Sequence, residues 1–116
     1  MDYIIKGLFV GDALGAKNKE KLQANGITHI LNVTNTGERH FPSLFEYKVV
    51  AVEDFETVDI KRHFKECIQF ITAAHGQGGS VLVHCYAGLS RSVTVVAAYL
   101  MQTHKMRATE ALMIIQ

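Results

Sequence analysis

The chain has two cysteines, one proline, no tryptophan and a formal net charge of +1 over 116 residues. Each scarcity excludes something. Cys67 and Cys85 are too few for a disulfide framework or a zinc cluster. With so few cysteines the expected setting is reducing and intracellular, cytoplasmic with the nucleus also open. The near-zero charge gives no electrostatic footprint for nucleic acid. No apolar run approaches the roughly 20 residues needed to cross a bilayer. The start Met1-Asp2-Tyr3 is neither a signal peptide nor a myristoylation site, so no membrane anchor is expected. No residue cluster implies a metal or an organic cofactor.

What is present suits one globular domain over residues 1–116, with 48% hydrophobic and 20% charged residues. A chain of this length should bury roughly two-thirds of its unfolded surface. Residues 3–10 (YIIKGLFV) predict one or two short strands around Gly7, and residues 17–25 a short helix with Leu22 inward and Gly26 as its stop. Residues 27–33 (ITHILNV), 47–52 (YKVVAV) and 80–85 (SVLVHC) are β-prone apolar runs, expected as strands buried on both faces. Residues 60–75 set Ile60, Phe64, Cys67, Ile68, Phe70 and Ile71 along one helical face. Residues 91–103 and 107–116 predict two more helices, the first apolar almost all round and so deeply buried. Strands alternating with helices specify an α/β domain, a largely parallel central sheet flanked by helices.

The chemistry concentrates in His84-Cys85-Tyr86-Ala87-Gly88-Leu89-Ser90-Arg91-Ser92, between the third apolar strand and the helix after it. A Cys with an Arg six positions on is common by chance. The preceding His, internal Gly and following Ser make the set rare. Residues Tyr86 to Ser90 can curl their backbone N–H groups around one point, with Gly88 supplying conformational freedom. Such a nest at a helix N-terminus binds a phosphate dianion. Arg91 offers a planar fork to two phosphate oxygens. The same field favours the thiolate of Cys85, a nucleophile held against bound phosphate. Ser92 can donate a hydrogen bond to that sulfur and ease its later departure. Asp54, just past the strand YKVVAV, is the expected general acid if that strand runs parallel to SVLVHC. Glu53, Glu56 and Asp59 compete, and spacing alone does not exclude them. His84 is expected to support the loop by hydrogen bonding. Cys67 is expected as a small core residue. His63, His75 and His104 receive no role.

These residues resemble the cysteine-dependent protein phosphatases, specifically the small dual-specificity phosphatases. HCYAGLSRS at 84–92 carries the likeness, with GLFVGDALGA at 7–16, GITHILNV at 26–33, AAYLM at 97–101 and the acid-bearing stretch 53–71. The resemblance implies hydrolysis of phosphotyrosine and phosphoserine or phosphothreonine through a phosphocysteine intermediate, with phosphorylated proteins as partners. It implies Asp54 as the acid and Asn32 as a brace for the phosphate loop. Without tryptophan the chain cannot carry the Trp-Pro-Asp acid loop of large tyrosine-specific enzymes. Family members usually continue past this point, so the domain reads as shortened at its C-terminal end. Ala108, Ala111, Leu112 and Ile115 should then pack on the preceding helix and leave an apolar patch that favours weak homodimerisation. Two other functions stand beside the phosphatase: a phosphoprotein-binding scaffold without turnover, and a lipid or RNA phosphatase. The loop's lack of added Lys or Arg weighs against the last.

Overall fold

The computed structural model describes residues 1–34, 36–51, 60–86 and 90–115. Its elements run β1 (Asp2–Ile5), β2 (Leu8–Gly11), a 3-10 turn (Gly15–Lys17), α1 (Lys19–Ala24), β3 (His29–Asn32), β4 (Glu46–Val49), a second 3-10 turn (Ile60–His63), α2 (Phe64–Gly76), β5 (Val81–His84), α3 (Ser90–Thr103) and α4 (Ala108–Ile115). The strands form one sheet in the order β1-β2-β5-β3-β4. β1 pairs antiparallel with β2, turning at Gly7, whose φ of 82° demands glycine. The other three pairings are parallel. Parallel neighbours need crossovers, and α1, α2 and the long β3–β4 connection supply them.

Alternation along the strands sorts the core into two layers. Leu8, Val10, Leu31, Val33, Val81 and Val83 face α2, α3 and α4, whose Cys67, Ile71, Val95, Val96, Leu100 and Ala111 close that side. Phe9, Ile30 and Leu82 face Leu22 of α1, with Ile27 and Phe45 completing the second layer. β3 and β5 are fully buried because each lies between two strands and two layers. Leu22 is buried as its position predicted, and Gly26 ends that segment at φ 70°.

Two expectations need correction. The run YKVVAV is not an interior strand: β4 is an edge strand, exposed or half-buried along its length, since only β3 pairs with it. α3 is not buried all round. Val95, Val96, Tyr99 and Leu100 face the sheet, while Thr94 and Met101 are exposed. That outer face, with Lys61, Phe64, Ala108 and Leu112, lines an apolar groove of about 360 Å³. α4 does pack on α3 and buries Ala111, but Ala108 is exposed, as are Leu112, Met113 and Ile114. Among the described residues no helix is long and apolar enough to cross a membrane.

Candidate active site

β2, β5 and β3 end in step: Gly11 registers with His84, and His84 with Asn32. The chain leaves β5 at that edge as Cys85, whose N–H donates to the Gly11 carbonyl at 3.4 Å. α3 begins at Ser90 and carries Arg91 and Ser92 in its first turn. The Cys85 Sγ lies 3.3 Å from Ser92 Oγ and 3.4 Å from the Tyr86 carbonyl, which its thiol can reach as donor. Cys85, Arg91 and Ser92 are all buried, Ser92 completely. A guanidinium almost wholly out of water needs a partner or an anion beside it. Thus the strand end supplies the sulfur, and the helix start supplies the cation and the hydroxyl. Tyr86 stands at the rim, partly open to solvent.

Ala87, Gly88 and Leu89, and the side chain of Ser90, lie outside the described residues, as do Asp54 and its competitors Glu53, Glu56 and Asp59. What the topology does give is direction. β4 is parallel to β3, and β3 to β5, so β4 delivers Val50 and Ala51 to the sheet edge that holds Cys85. The condition set for Asp54, a parallel strand leading into it, is met up to Ala51.

Beneath the loop lie His84 and Asn32, side by side on the α1 face of the sheet. Burial pushes the His84 imidazole down to about 4, against a weaker upward pull from its hydrogen bond to the Cys85 backbone. It is therefore neutral near pH 7, a support and not a cation. Its Nδ1 and the Asn32 Oδ1 make no hydrogen bond among the described residues. The Asn32 amide donates instead to the Glu38 carbonyl at 3.0 Å, which ties the β3–β4 connection to the site edge. The resemblance had assigned Asn32 to the phosphate loop; its described bond is to the neighbouring connection.

Cys67 is completely buried on α2, and burial raises its thiol to about 12, so it stays protonated and inert. His75, given no role from sequence, has one in the fold. Its Nε2–H donates to the Gly7 carbonyl at 2.8 Å, and its Nδ1 accepts from the buried Tyr99 hydroxyl at 3.0 Å. Among the described residues, sequence reasoning also missed the compact turn at Asp12. There the carboxylate accepts from Gly15 N–H at 3.0 Å, an Asp–Gly spacing that could have announced it.

The profile of the dual specificity phosphatase catalytic domain matches residues 8–116. The chain belongs to this family. It is 48% identical over 109 residues to dual specificity protein phosphatase 1 of Arabidopsis thaliana, covering 94% of this chain and 55% of that relative. It thus spans about half the length of that protein. Among solved structures it resembles DUSP15 with a TM-score of 0.93 and 37% identity, over 99% of this chain and 73% of the other. It also resembles the human tyrosine phosphatase-like serine/threonine/tyrosine-interacting protein, TM-score 0.89 and 38% identity, over 100% and 82% of the two chains.

Proposed function

We propose that the protein hydrolyses phosphotyrosine, phosphoserine and phosphothreonine in proteins through a phosphocysteine at Cys85. The observation that carries this reading is the 3.3 Å approach of Ser92 Oγ to Cys85 Sγ, with Arg91 buried one residue before Ser92 in the first turn of α3. Family membership over residues 8–116 supports the same chemistry.

In the first step the Cys85 thiolate attacks phosphorus while the bond to the substrate oxygen breaks. The Arg91 guanidinium and the backbone N–H groups of Tyr86 to Ser90 hold the equatorial oxygens as charge redistributes. Asp54 gives its proton to the departing oxygen. In the second step water attacks phosphorus, Asp54 takes the proton, and the S–P bond breaks. Ser92 then donates its O–H to the leaving thiolate, a role that its burial against the sulfur suits. His84, neutral and buried, holds the loop's first residue and moves no proton. Cytoplasmic phosphoproteins are the substrates this reading implies.

The scaffold reading keeps one observation in its favour, the likeness to the human tyrosine phosphatase-like serine/threonine/tyrosine-interacting protein. One experiment separates the two: turnover of p-nitrophenyl phosphate and a phosphopeptide panel by the wild-type chain and its Cys85→Ser variant. Phosphate release by the wild type alone supports the phosphatase. Binding without release in both supports the scaffold.

A further inference from the structure

Among the described residues, two large hydrophobic side chains stand out in water at the sheet edge that carries Cys85: Leu14, 76% exposed, and Tyr86, 37% exposed. Single exposed leucines are ordinary. The placement of this one is not. Gly11 registers with His84, so Leu14 lies three residues beyond the end of one strand and Tyr86 two beyond the end of its neighbour. Adjacent strands are about 4.8 Å apart. The Cys85 N–H bond to Gly11 carries that pairing one step into the loop.

The Leu14 backbone is fixed. Gly15 N–H donates to the Asp12 carboxylate at 3.0 Å, Ala16 N–H to the Asp12 carbonyl at 3.3 Å, and Lys17 N–H to the Leu14 carbonyl at 3.1 Å. Ala16, two residues on, is buried and anchors the turn in the second core layer. Leu14 itself has φ −66° and ψ −43°, a conformation open to any residue. Neither packing nor backbone geometry calls for a leucine here. A rigid turn instead holds an apolar side chain away from the core, past the sheet edge where β5 delivers Cys85.

The geometry points to Leu14, with the Tyr86 ring, as an apolar rim that selects phosphopeptides bearing a large apolar side chain beside the phosphoresidue. The inference rests on the phosphatase reading for its substrate class. With the phosphate seated over Cys85, a peptide crossing this edge brings its neighbouring residue over Leu14. Apolar surface on both sides then leaves water together, worth about 25 cal/mol per Å² removed. A small polar residue there gains nothing. Leu14 acts on peptide affinity and takes no part in bond breaking.

The test uses two phosphotyrosine peptides that differ only beside the phosphoresidue, leucine in one and serine in the other, with p-nitrophenyl phosphate as a rimless substrate. The wild type should favour the leucine peptide about tenfold in kcat/KM. Leu14→Ser should erase that preference by losing only the leucine peptide's advantage, Leu14→Met should keep it, and p-nitrophenyl phosphate turnover should match wild type in both. Equal kcat/KM for the two peptides in the wild type overturns the proposal, as does an equal loss on all three substrates in Leu14→Ser. Binding of the same peptides to the Cys85→Ser variant, with and without Leu14→Ser, reads the preference without turnover. An enzyme that releases no phosphate from any substrate refutes the phosphatase reading, while the rim stands or falls on those affinities.

Discussion

Two histidines at opposite ends of the strands, His75 and His84, are held in opposite ways. At the end near Gly7, His75 engages both ring nitrogens, one on the Gly7 carbonyl and one on the Tyr99 hydroxyl, and so ties the β1–β2 turn to α2 and α3. At the other end His84 is almost wholly buried, with a ring nitrogen that no described residue meets, and burial drives it towards neutrality. At the same end of the sheet Cys85 and Arg91 are buried and Leu14 is exposed. At the first, the His75 ring is fully satisfied. At the other, His84 Nδ1 and Asn32 Oδ1 lie buried with no hydrogen bond among the described residues, a local rule broken where the candidate site lies.

The sharpest break in that contrast comes from Cys85. Cys85→Ala should cut phosphatase turnover below about 1% of wild type, since removing a nucleophile costs decades. Phosphate binding should persist through Arg91 and the loop backbone. Steady-state assays with isothermal titration of phosphate check both halves. Next in size is Asp54→Asn, which should lower kcat on phosphopeptides by roughly 10²-fold. It should spare aryl phosphates with good leaving groups, and an equal loss on both would remove Asp54 as the acid.

The contrast was only half legible in the sequence. HCYAGLSRS announced the chemical end because a phosphate loop needs its Cys, Gly and Arg at fixed spacing, whatever the rest of the chain does. The strands ITHILNV and SVLVHC were legible because burial on both faces leaves an unbroken apolar run. YKVVAV looks much the same, yet β4 is an edge strand: position within a sheet is set by pairing, which local composition does not encode. α3 misled for a related reason, as alanines and valines read alike whether they face the sheet or a groove. His75 was silent because its partners, Gly7 and Tyr99, lie 68 and 24 residues away.

A third expected effect is on pH-dependent stability. The folded state holds His84 near 4, below the ordinary histidine value of 6.5. Between those values the unfolded chain binds a proton that the folded chain refuses, so acid favours unfolding. The contribution is fully present above about pH 6.5 and is lost as pH falls towards 4. Linkage gives a loss of about 2 kcal/mol from this group between pH 7.5 and pH 5. Urea unfolding across that range should show the slope in wild type and a shallower one in His84→Asn. Identical slopes would mean that His84 is not the proton acceptor that matters.

The smallest effect belongs to the satisfied end, and it tests whether the two ends are independent. His75→Ala removes the acceptor of the Tyr99 hydroxyl, a residue only 3% exposed, and the donor to the Gly7 carbonyl. Leaving a buried hydroxyl without its partner should cost about 1–2 kcal/mol of unfolding free energy. Tyr99→Phe on the His75→Ala background should add less than it does on wild type, because the bond it breaks is already gone. Neither change should alter kcat or KM for an aryl phosphate, since both residues act at the end of the sheet away from Cys85. A fall in kcat at temperatures where the variant is fully folded would show that α3, which carries both Tyr99 and Arg91, transmits strain from one end to the other. With kcat unchanged, the His75 clip is a stabilising tie alone.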